Sequence, residues 1–244
     1  MREITRAAAI ILAVLILTAS SAMAMSEAEE IELGRKTAMA LEAKYGVLNN
    51  HPQLDRVRRI GYGIAAVTER SYLNFTFKIL NTNIINAMAC PGGFVYVTNG
   101  ILPILTDDEL AFVMAHEIAH VAKKHGIRQM KKNTLTQLGL SGIALALNKG
   151  KKSSDLTNKA LGAVSTVASC SYSRGDENEA DITACHYIEE IGYNPRAGIS
   201  FMKKLKASTK QSKTSDFLNG IIGDHPLTDD RIKNIDAECV KMGY

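Results

Sequence analysis

The pattern of apolar and polar positions divides the chain after residue 25 into helical, extended and again helical segments. Residues 26–43 are rich in Glu, Ala and Leu, which favour helix, and Gly46 follows them. A second helix is predicted after residues 51–52, with an apolar face formed by Leu54, Val57, Ile60, Ile64 and Val67. The pattern therefore predicts two helices before the first extended segment.

The next segment changes to a period of two, which predicts three short strands. Apolar and polar side chains alternate over residues 73–80, and two more apolar segments follow at 84–88 and 94–97. A Pro-Gly-Gly turn at 91–93 joins the last two. Beyond residue 100 the pattern is helical nearly to the end. The sequence therefore predicts a single, mostly helical α+β domain with a small antiparallel sheet.

Composition excludes several classes of protein. The 244 residues are 46% hydrophobic, which is enough for a core, and the net charge is only +4, so a disordered chain is excluded. Lys and Arg form no long block, which argues against a nucleic-acid partner. What remains is a globular domain of ordinary size.

The first 24 residues have the pattern of a secretory signal peptide. Two arginines precede an apolar run at 7–17, and an A-x-A sequence ends the segment at residues 22–24. The prediction is a signal peptide at 1–24, a mature domain at 25–244, and export to the periplasm. The alternative is an uncleaved anchor, although the run is shorter than the roughly 20 residues that span a bilayer.

The cysteines leave two alternatives open. Export to an oxidising compartment would permit disulfides, and buried free thiols are the other interpretation. No C-x-x-C spacing is present, which disfavours a cysteine zinc site. The residues concerned are Cys90, Cys170, Cys185 and Cys239.

A helix with two histidines at positions i and i+4 is the first candidate for chemistry. Thr106 and Glu109 form a capping-box pattern that begins this helix at residue 107. His116 and His120 then lie on one face, where both can bind one Zn²⁺. Glu117 lies beside them and can act as general base toward a water at the metal. The alternative is a surface helix whose histidines bind no metal.

A later helix offers the third protein ligand that such a zinc site requires. Glu177 and Asp181 are four residues apart and therefore share a face. Glu177 is the predicted carboxylate ligand, and Asp181 would accept the remaining ring N–H of a zinc histidine. Glu179 is the competing ligand, but it faces elsewhere. The alternative is an acidic helix start without a metal.

These motifs together resemble one family, the HtpX/CAAX-prenyl-protease-like zinc metallopeptidases (metallopeptidase family forty-eight, or minigluzincins). The resemblance is carried by the 116–120 motif, by Ser-Arg-x-x-Glu-x-Glu-Ala-Asp at 173–181, and by His225-Pro226 with Arg231. It covers roughly residues 50–240 and is closest to the small exported bacterial branch. It implies a zincin-like domain whose sheet lies beside the histidine helix.

The resemblance implies roles for individual residues. One Zn²⁺ per chain would be bound by His116, His120 and Glu177. Glu117 would be the general base, and Asp181 would lie behind the ligands and hold a zinc histidine. His225 and Arg231 would approach the substrate carbonyl or its oxyanion. In some members the histidine at the position of His225 can turn toward the metal and hold the enzyme idle.

The resemblance also implies a place for the substrate. The strand at 93–97 would be an exposed edge strand to which an extended peptide is added. An ordinary internal hairpin is the alternative. The implied substrate contacts are Asn86, Ala87, Gly93, Phe94 and Val95.

The predicted function is a zinc endopeptidase that cleaves misfolded or envelope proteins. The alternatives are a chaperone-like binder of such proteins with a latched or silent metal site, and a purely structural zinc protein. Polypeptides are the predicted partners, and a basic face at 123–132 leaves peripheral membrane association open. His125 is expected at the surface, and residues 126–172 are the candidate lid. Oligomeric state is not predicted.

Overall fold

The computed structural model describes residues 25–133, 172–211, 225 and 227–244. The predicted signal peptide and Cys170 lie outside these ranges, as does most of the candidate lid at 126–172. Within the described ranges, none of the helices combines the length and the apolar character that crossing a bilayer requires.

The first two predicted helices are confirmed. Helix α1 is Glu27–Tyr45, and it begins with a capping box between Ser26 and Glu29. Helix α2 is Leu54–Ala66. It buries the predicted apolar face, because Leu54, Val57, Ile60 and Ile64 all point into the core.

Three strands form one sheet in the order β1-β3-β2. They are β1, Thr76–Leu80; β2, Ala87–Cys90; and β3, Phe94–Thr98. β2 and β3 pair antiparallel, and the turn between them has positive φ at two glycines, Gly92 and Gly93. β1 and β3 pair in parallel. The α+β class is confirmed, and the sheet is mixed rather than wholly antiparallel because the chain passes from one edge to the other before β3 fills the centre.

The histidine helix, α3, is the centre of the fold. It is Asp107–Ala122 and begins in the predicted capping box, in which Thr106 Oγ1 accepts from the Glu109 amide. Every residue from 109 to 122 is buried, as expected of a helix surrounded by other elements. Helices α4 (Arg174–Glu190) and α5 (Ala197–Gln211) pack on α3, and α6 (Asp229–Lys241) packs on α4 and α5.

The sheet separates two cores. On one face α1 packs Ala38 and Leu41 against Tyr96 of β3. On the other face α2 and α3 form the main core with the sheet. Their contact is close at Gly61 of α2, where a Cβ atom would lie 2.5 Å from the Phe77 ring and 2.7 Å from Met114 Cε. This packing fixes the position of α3 relative to the sheet.

Strand β3 is central, so the prediction of an exposed edge strand at 93–97 is wrong. Its backbone is paired on both sides, with β1 and with β2. Val95, Tyr96 and Val97 are all buried, which is typical of a strand covered on both faces. The edge strand that packs against α3 is β2.

The sequence left open whether the cysteines form disulfides or are buried free thiols, and the three within the described residues are free thiols. Cys90, Cys185 and Cys239 are free and buried. Burial raises the pKa of the Cys90 thiol to about 12, with smaller contributions from Glu117 and Glu42. These thiols therefore behave as small apolar side chains of the core.

Candidate metal centre

Three parts of the chain bring four potential metal ligands together: helix α3, helix α4, and the segment before α6. One ligand atom from each of His116, His120, Glu177 and His225 lies within 4.8 Å of the others, and all four residues are buried. The Nε2 atoms of His116 and His120 are 3.0 Å apart, and Glu177 Oε1 is 3.5 Å from His120 Nε2. Ligands of a tetrahedral zinc ion are separated by about 3.3 Å, so the donor set fits one ion.

His225 lies among the ligands rather than beside them. Its Nδ1 is 2.8 Å from Glu177 Oε1 and 3.2 Å from His116 Nε2, while its Nε2 is 3.4 Å from Glu117 Oε1. Burial disfavours the charged imidazole, but the carboxylates of Glu117 and Glu177 outweigh this effect and raise the pKa of His225 to about 9. The imidazole of His225 therefore belongs to the same group of potential ligands as His116, His120 and Glu177.

Helix α4 supplies two buried carboxylates that are held by one arginine. Asp181 Oδ1 is 2.9 Å from His116 Nδ1, the ring nitrogen that faces away from the other ligands. Arg231 donates from Nε and Nη2 to the two oxygens of Asp181, both at 2.7 Å. Its Nη1 is 2.7 Å from Glu177 Oε2. Arg231 thus holds the two carboxylates of α4 in place. Its predicted role at the substrate carbonyl stays a prediction.

The two carboxylates are held in the ionised form that a metal site requires. Burial raises the pKa of Asp181, but the bond from Arg231 and the neighbouring His116 outweigh it and hold the pKa below its usual value. The same holds for Glu177, where the bond to His225 and the charges of His116 and Arg231 overcome the effect of burial. Both groups are therefore anionic at neutral pH.

An apolar cleft adjoins the ligand group. The polar residues that line it are His116, Glu117, His225 and Arg231. Its walls come from α3, α5 and the segment before α6, and they consist of Phe112, Val113, Phe201, Met202, Leu205 and Leu227. The polar groups of the site therefore line the same cleft as an apolar surface.

The structure separates the predicted substrate contacts into two groups. Asn86 and Ala87 lie where the edge strand β2 begins. Gly93 instead belongs to the turn, where its carbonyl accepts from the Thr76 amide, and Phe94 and Val95 belong to the central strand. Only the first group adjoins an edge where a peptide strand could be added.

His125 is a residue of the site that sequence reasoning missed. It was expected at the surface, but it is fully buried. Its Nδ1 lies 2.8 Å from His120 Nδ1, and its Nε2 lies 3.2 Å from Glu179 Oε2. The ring of Tyr172 stacks on His120 with ring centroids 3.9 Å apart. Glu179 does face away from the metal ligands, as predicted.

The reason for this error is the end of α3. The helix stops at Ala122, and Lys124 has φ of 57° in the left-handed region. Residues 125–133 then form a new helix. Extending the 3.6-residue period through this break would give the wrong face for His125. The only signal in the sequence was the short Lys-Lys-His-Gly segment at 123–126, which indicates a helix end but no direction.

Comparisons with known proteins find a family and several relatives that resemble this chain in sequence. The sequence model of "Peptidase family M48" matches residues 51–239. The chain is 27% identical to the "Putative beta-barrel assembly-enhancing protease" of Vibrio cholerae, over 84% of this chain and 43% of that protein. It is 26% identical to the "Beta-barrel assembly-enhancing protease" of Escherichia coli, over 87% and 44%, and 24% identical to "Metalloprotease YcaL" of Escherichia coli, over 88% and 78%.

The match to the family model extends over most of the chain and includes all four residues of the ligand group. The chain belongs to peptidase family M48, and the family predicted from the motifs is confirmed. The chain spans less than half the length of the beta-barrel assembly-enhancing relatives that it matches.

Proposed function

We propose that the protein is an exported zinc endopeptidase that hydrolyses misfolded or envelope proteins. The observation that carries this proposal is the convergence of His116, His120 and Glu177 beside Glu117 and an apolar cleft. Two imidazoles and one carboxylate are the ligand set of many catalytic zinc sites, so one Zn²⁺ per chain is the proposed cofactor. When bound there, zinc would polarise the substrate carbonyl and lower the pKa of water.

Glu117 would move the proton in this reaction. Its side chain is buried and borders the cleft at the ligand group. It would accept a proton from the attacking water and later donate it to the amine that leaves. Asp181 would keep the hydrogen of His116 on Nδ1 and so leave Nε2 available to the metal.

His225 and Arg231 would act on the oxyanion. A catalytic zinc needs one open coordination position. With its side chain placed as it is in the structure, His225 Nδ1 would fill that coordination position. This arrangement fits an idle enzyme, and the side chain must turn away before a substrate binds. His225 could then donate to the developing oxyanion, toward which the charge of Arg231 at the cleft is also favourable.

The substrate would bind along β2. Among the described residues β2 has no strand on its outer side, and it packs against α3. Main-chain bonds to this edge would give affinity with little dependence on sequence, and the apolar cleft would hold a hydrophobic side chain. Asn86 and Ala87 remain the proposed contacts, at the start of this strand.

Export and an envelope substrate are supported by two further observations. The first 24 residues have the signal-peptide pattern. The relatives from Vibrio cholerae and Escherichia coli are named for beta-barrel assembly. A chaperone-like binder with a silent site is less favoured, because the ligands and the general base are all present and close together.

The substitution Glu117→Gln tests the proposal. We expect cleavage of unfolded casein to fall by about 100-fold or more, because a missing general base costs 10²–10⁴ in rate. Zinc content should stay at one per chain, because Glu117 is not a ligand. The matched control is Glu32→Gln, a half-exposed residue of α1, which should change neither quantity.

Two results would contradict the proposal. One is full activity of the zinc-loaded Glu117→Gln variant. The other is protection of an aggregating substrate that neither Glu117→Gln nor chelation affects, without any cleavage by the wild-type protein. The second result would favour the chaperone-like function.

A further inference from the structure

His125 is the one buried histidine near the candidate metal centre for which the proposed mechanism has no role. It lies behind His120, on the side away from the ligand group. We propose that His125 is a positioning residue, which with Glu179 and Arg128 forms a hydrogen-bonded relay that fixes the ring of His120 for metal binding. This inference rests on the proposed zinc site.

The hydrogen positions in this relay follow from the geometry. His120 Nε2 faces the other ligands, at 3.0 Å from His116 Nε2. When Nε2 binds a metal, the ring hydrogen of His120 must be on Nδ1. This N–H then donates to His125 Nδ1, 2.8 Å away. Because His125 accepts at Nδ1, its own hydrogen must be on Nε2.

The far end of the relay is a pair of carboxylates. His125 Nε2 donates to Glu179 Oε2 at 3.2 Å, and Asp176 Oδ1 lies 3.9 Å away. Arg128 Nη2 contacts both carboxylates, at 2.7 Å to Asp176 and 3.1 Å to Glu179. The acceptor for His125 is thus held in place by a cation on the helical segment that carries His125 itself.

The two metal histidines therefore have different supports. The Nδ1 of His116 lies 2.9 Å from Oδ1 of the Asp181 carboxylate. The Nδ1 of His120 faces a second imidazole, and a carboxylate follows only beyond that ring. Groups behind a ligand typically change metal affinity 10–100-fold when removed. His125 should have an effect of this size although it does not touch the metal.

The same residues have a competing interpretation as a second metal site. Ligand atoms of His125, Asp176 and Glu179 lie within 4.8 Å of one another. Arg128 already contacts both carboxylates, and its charge would oppose a further cation. The geometry therefore favours the relay, which predicts that the chain binds one zinc ion.

The experiment compares His125→Phe and His125→Asn in the full mature chain. Zinc affinity is measured by competition with a chromophoric chelator, and the Co²⁺-substituted protein is compared by visible absorption. His125→Phe removes both hydrogen bonds, and we expect the zinc Kd to rise 10–100-fold with an altered cobalt spectrum. In His125→Asn the amide oxygen can replace Nδ1 as acceptor, so the Kd should stay within a few-fold of wild type.

Two further variants complete the design. His186→Phe is the matched control, because His186 is half exposed on α4 and pairs with Glu238 away from the ligands. It should leave zinc affinity unchanged. If His125→Phe does not fold, Glu179→Ala tests the far end of the relay. It should raise the zinc Kd measurably above the wild-type value, but by less than tenfold.

Three outcomes would overturn the inference. The first is a wild-type zinc affinity in folded His125→Phe or, if that variant does not fold, in Glu179→Ala. The second is an equal loss of zinc affinity in His125→Asn and His125→Phe. The third is binding of two zinc ions per wild-type chain. A wild-type chain that binds no zinc would refute the proposed function, and the inference with it.

Discussion

Arg231 shows how a single side chain organises the candidate metal centre. Three of its nitrogens contact the carboxylates of Asp181 and Glu177, although it lies on a different helix. It is buried, so these contacts are shielded from water and salt. The planar guanidinium matches both oxygens of Asp181 at once, which an ammonium group cannot do.

Replacing Arg231 should therefore weaken both folding and metal binding. Arg231→Ala leaves two buried carboxylates without their cation, and we expect the free energy of unfolding to fall by about 3–5 kcal/mol. Arg231→Lys keeps the charge but loses the paired bonds, and a loss of about 1–3 kcal/mol is expected with a zinc Kd raised roughly tenfold. Urea unfolding of the metal-free protein and chelator competition measure the two effects.

The control for this experiment is Arg196→Lys. Arg196 pairs with Asp236 at 2.8 Å, but both side chains are about half exposed. A surface pair of this kind contributes at most about 1 kcal/mol. If Arg231→Lys behaves like Arg196→Lys, the bidentate contact has no special importance.

The residues that could be predicted are those whose positions depend on one helix alone. His116, His120, Glu177 and Asp181 are spaced by four, and helical periodicity places each pair on one face. His225 and His125 could not be placed in this way. The position of His225 depends on the packing of a separate segment, and that of His125 depends on one positive φ angle at Lys124.

At the scale of elements, α2 connects the sheet to the histidine helix, α3. Gly61 allows α2 to approach Phe77 of β1 and Met114 of α3. Gly63 lies two residues further along the same helix, where a Cβ would meet only Ile191 at 3.6 Å. The two glycines therefore differ in the space around them while sharing the same helical backbone.

This difference predicts opposite effects for the same substitution. Gly61→Ala should lower the free energy of unfolding by about 1–3 kcal/mol, because its methyl group would overlap Phe77 and Met114. Gly63→Ala should raise it by roughly 0.5–1 kcal/mol, because alanine favours helix over glycine and fits the available space. Urea unfolding of the two variants checks both signs. A destabilising Gly63→Ala of equal size would show that the packing at Gly61 is not the cause.

Elements were predicted better than their arrangement. The helices before and after the sheet, and the strand segments, follow from local periodicity and capping residues. The central position of β3 does not follow from the sequence in this way. The alternation of apolar and polar side chains along one strand carries no information about which strands lie on either side of it. The consecutive buried residues of β3 at 95–97 were the only sign within the strand itself that both of its faces are covered.

For the whole molecule, the candidate ligands join parts of the chain that are far apart in sequence. His116 and His225 are 109 residues apart, and Glu177 lies between them on α4. A metal bound by these residues would bind the folded chain and not the unfolded one. Its binding energy would therefore add to the stability of the whole domain.

Metal removal should consequently lower the melting temperature. With free zinc at a hundred times its Kd, the added stability is about 2.7 kcal/mol, or roughly 5–10 °C for a domain of this size. Calorimetry with zinc and with a chelator measures the shift. Glu117→Gln should show the full shift and His116→Ala little of it. An equal shift in His116→Ala would mean that zinc binds elsewhere.

The central position of β3 also affects the order in which the sheet assembles. β2 and β3 are joined by a three-residue turn, so this hairpin can close within about 1–10 μs. The parallel pairing of β1 with β3 instead closes a longer loop and costs more chain entropy. The edge proposed to receive a substrate thus belongs to the most locally folded part of the sheet. It would be the first part of the sheet to form each time the chain refolds.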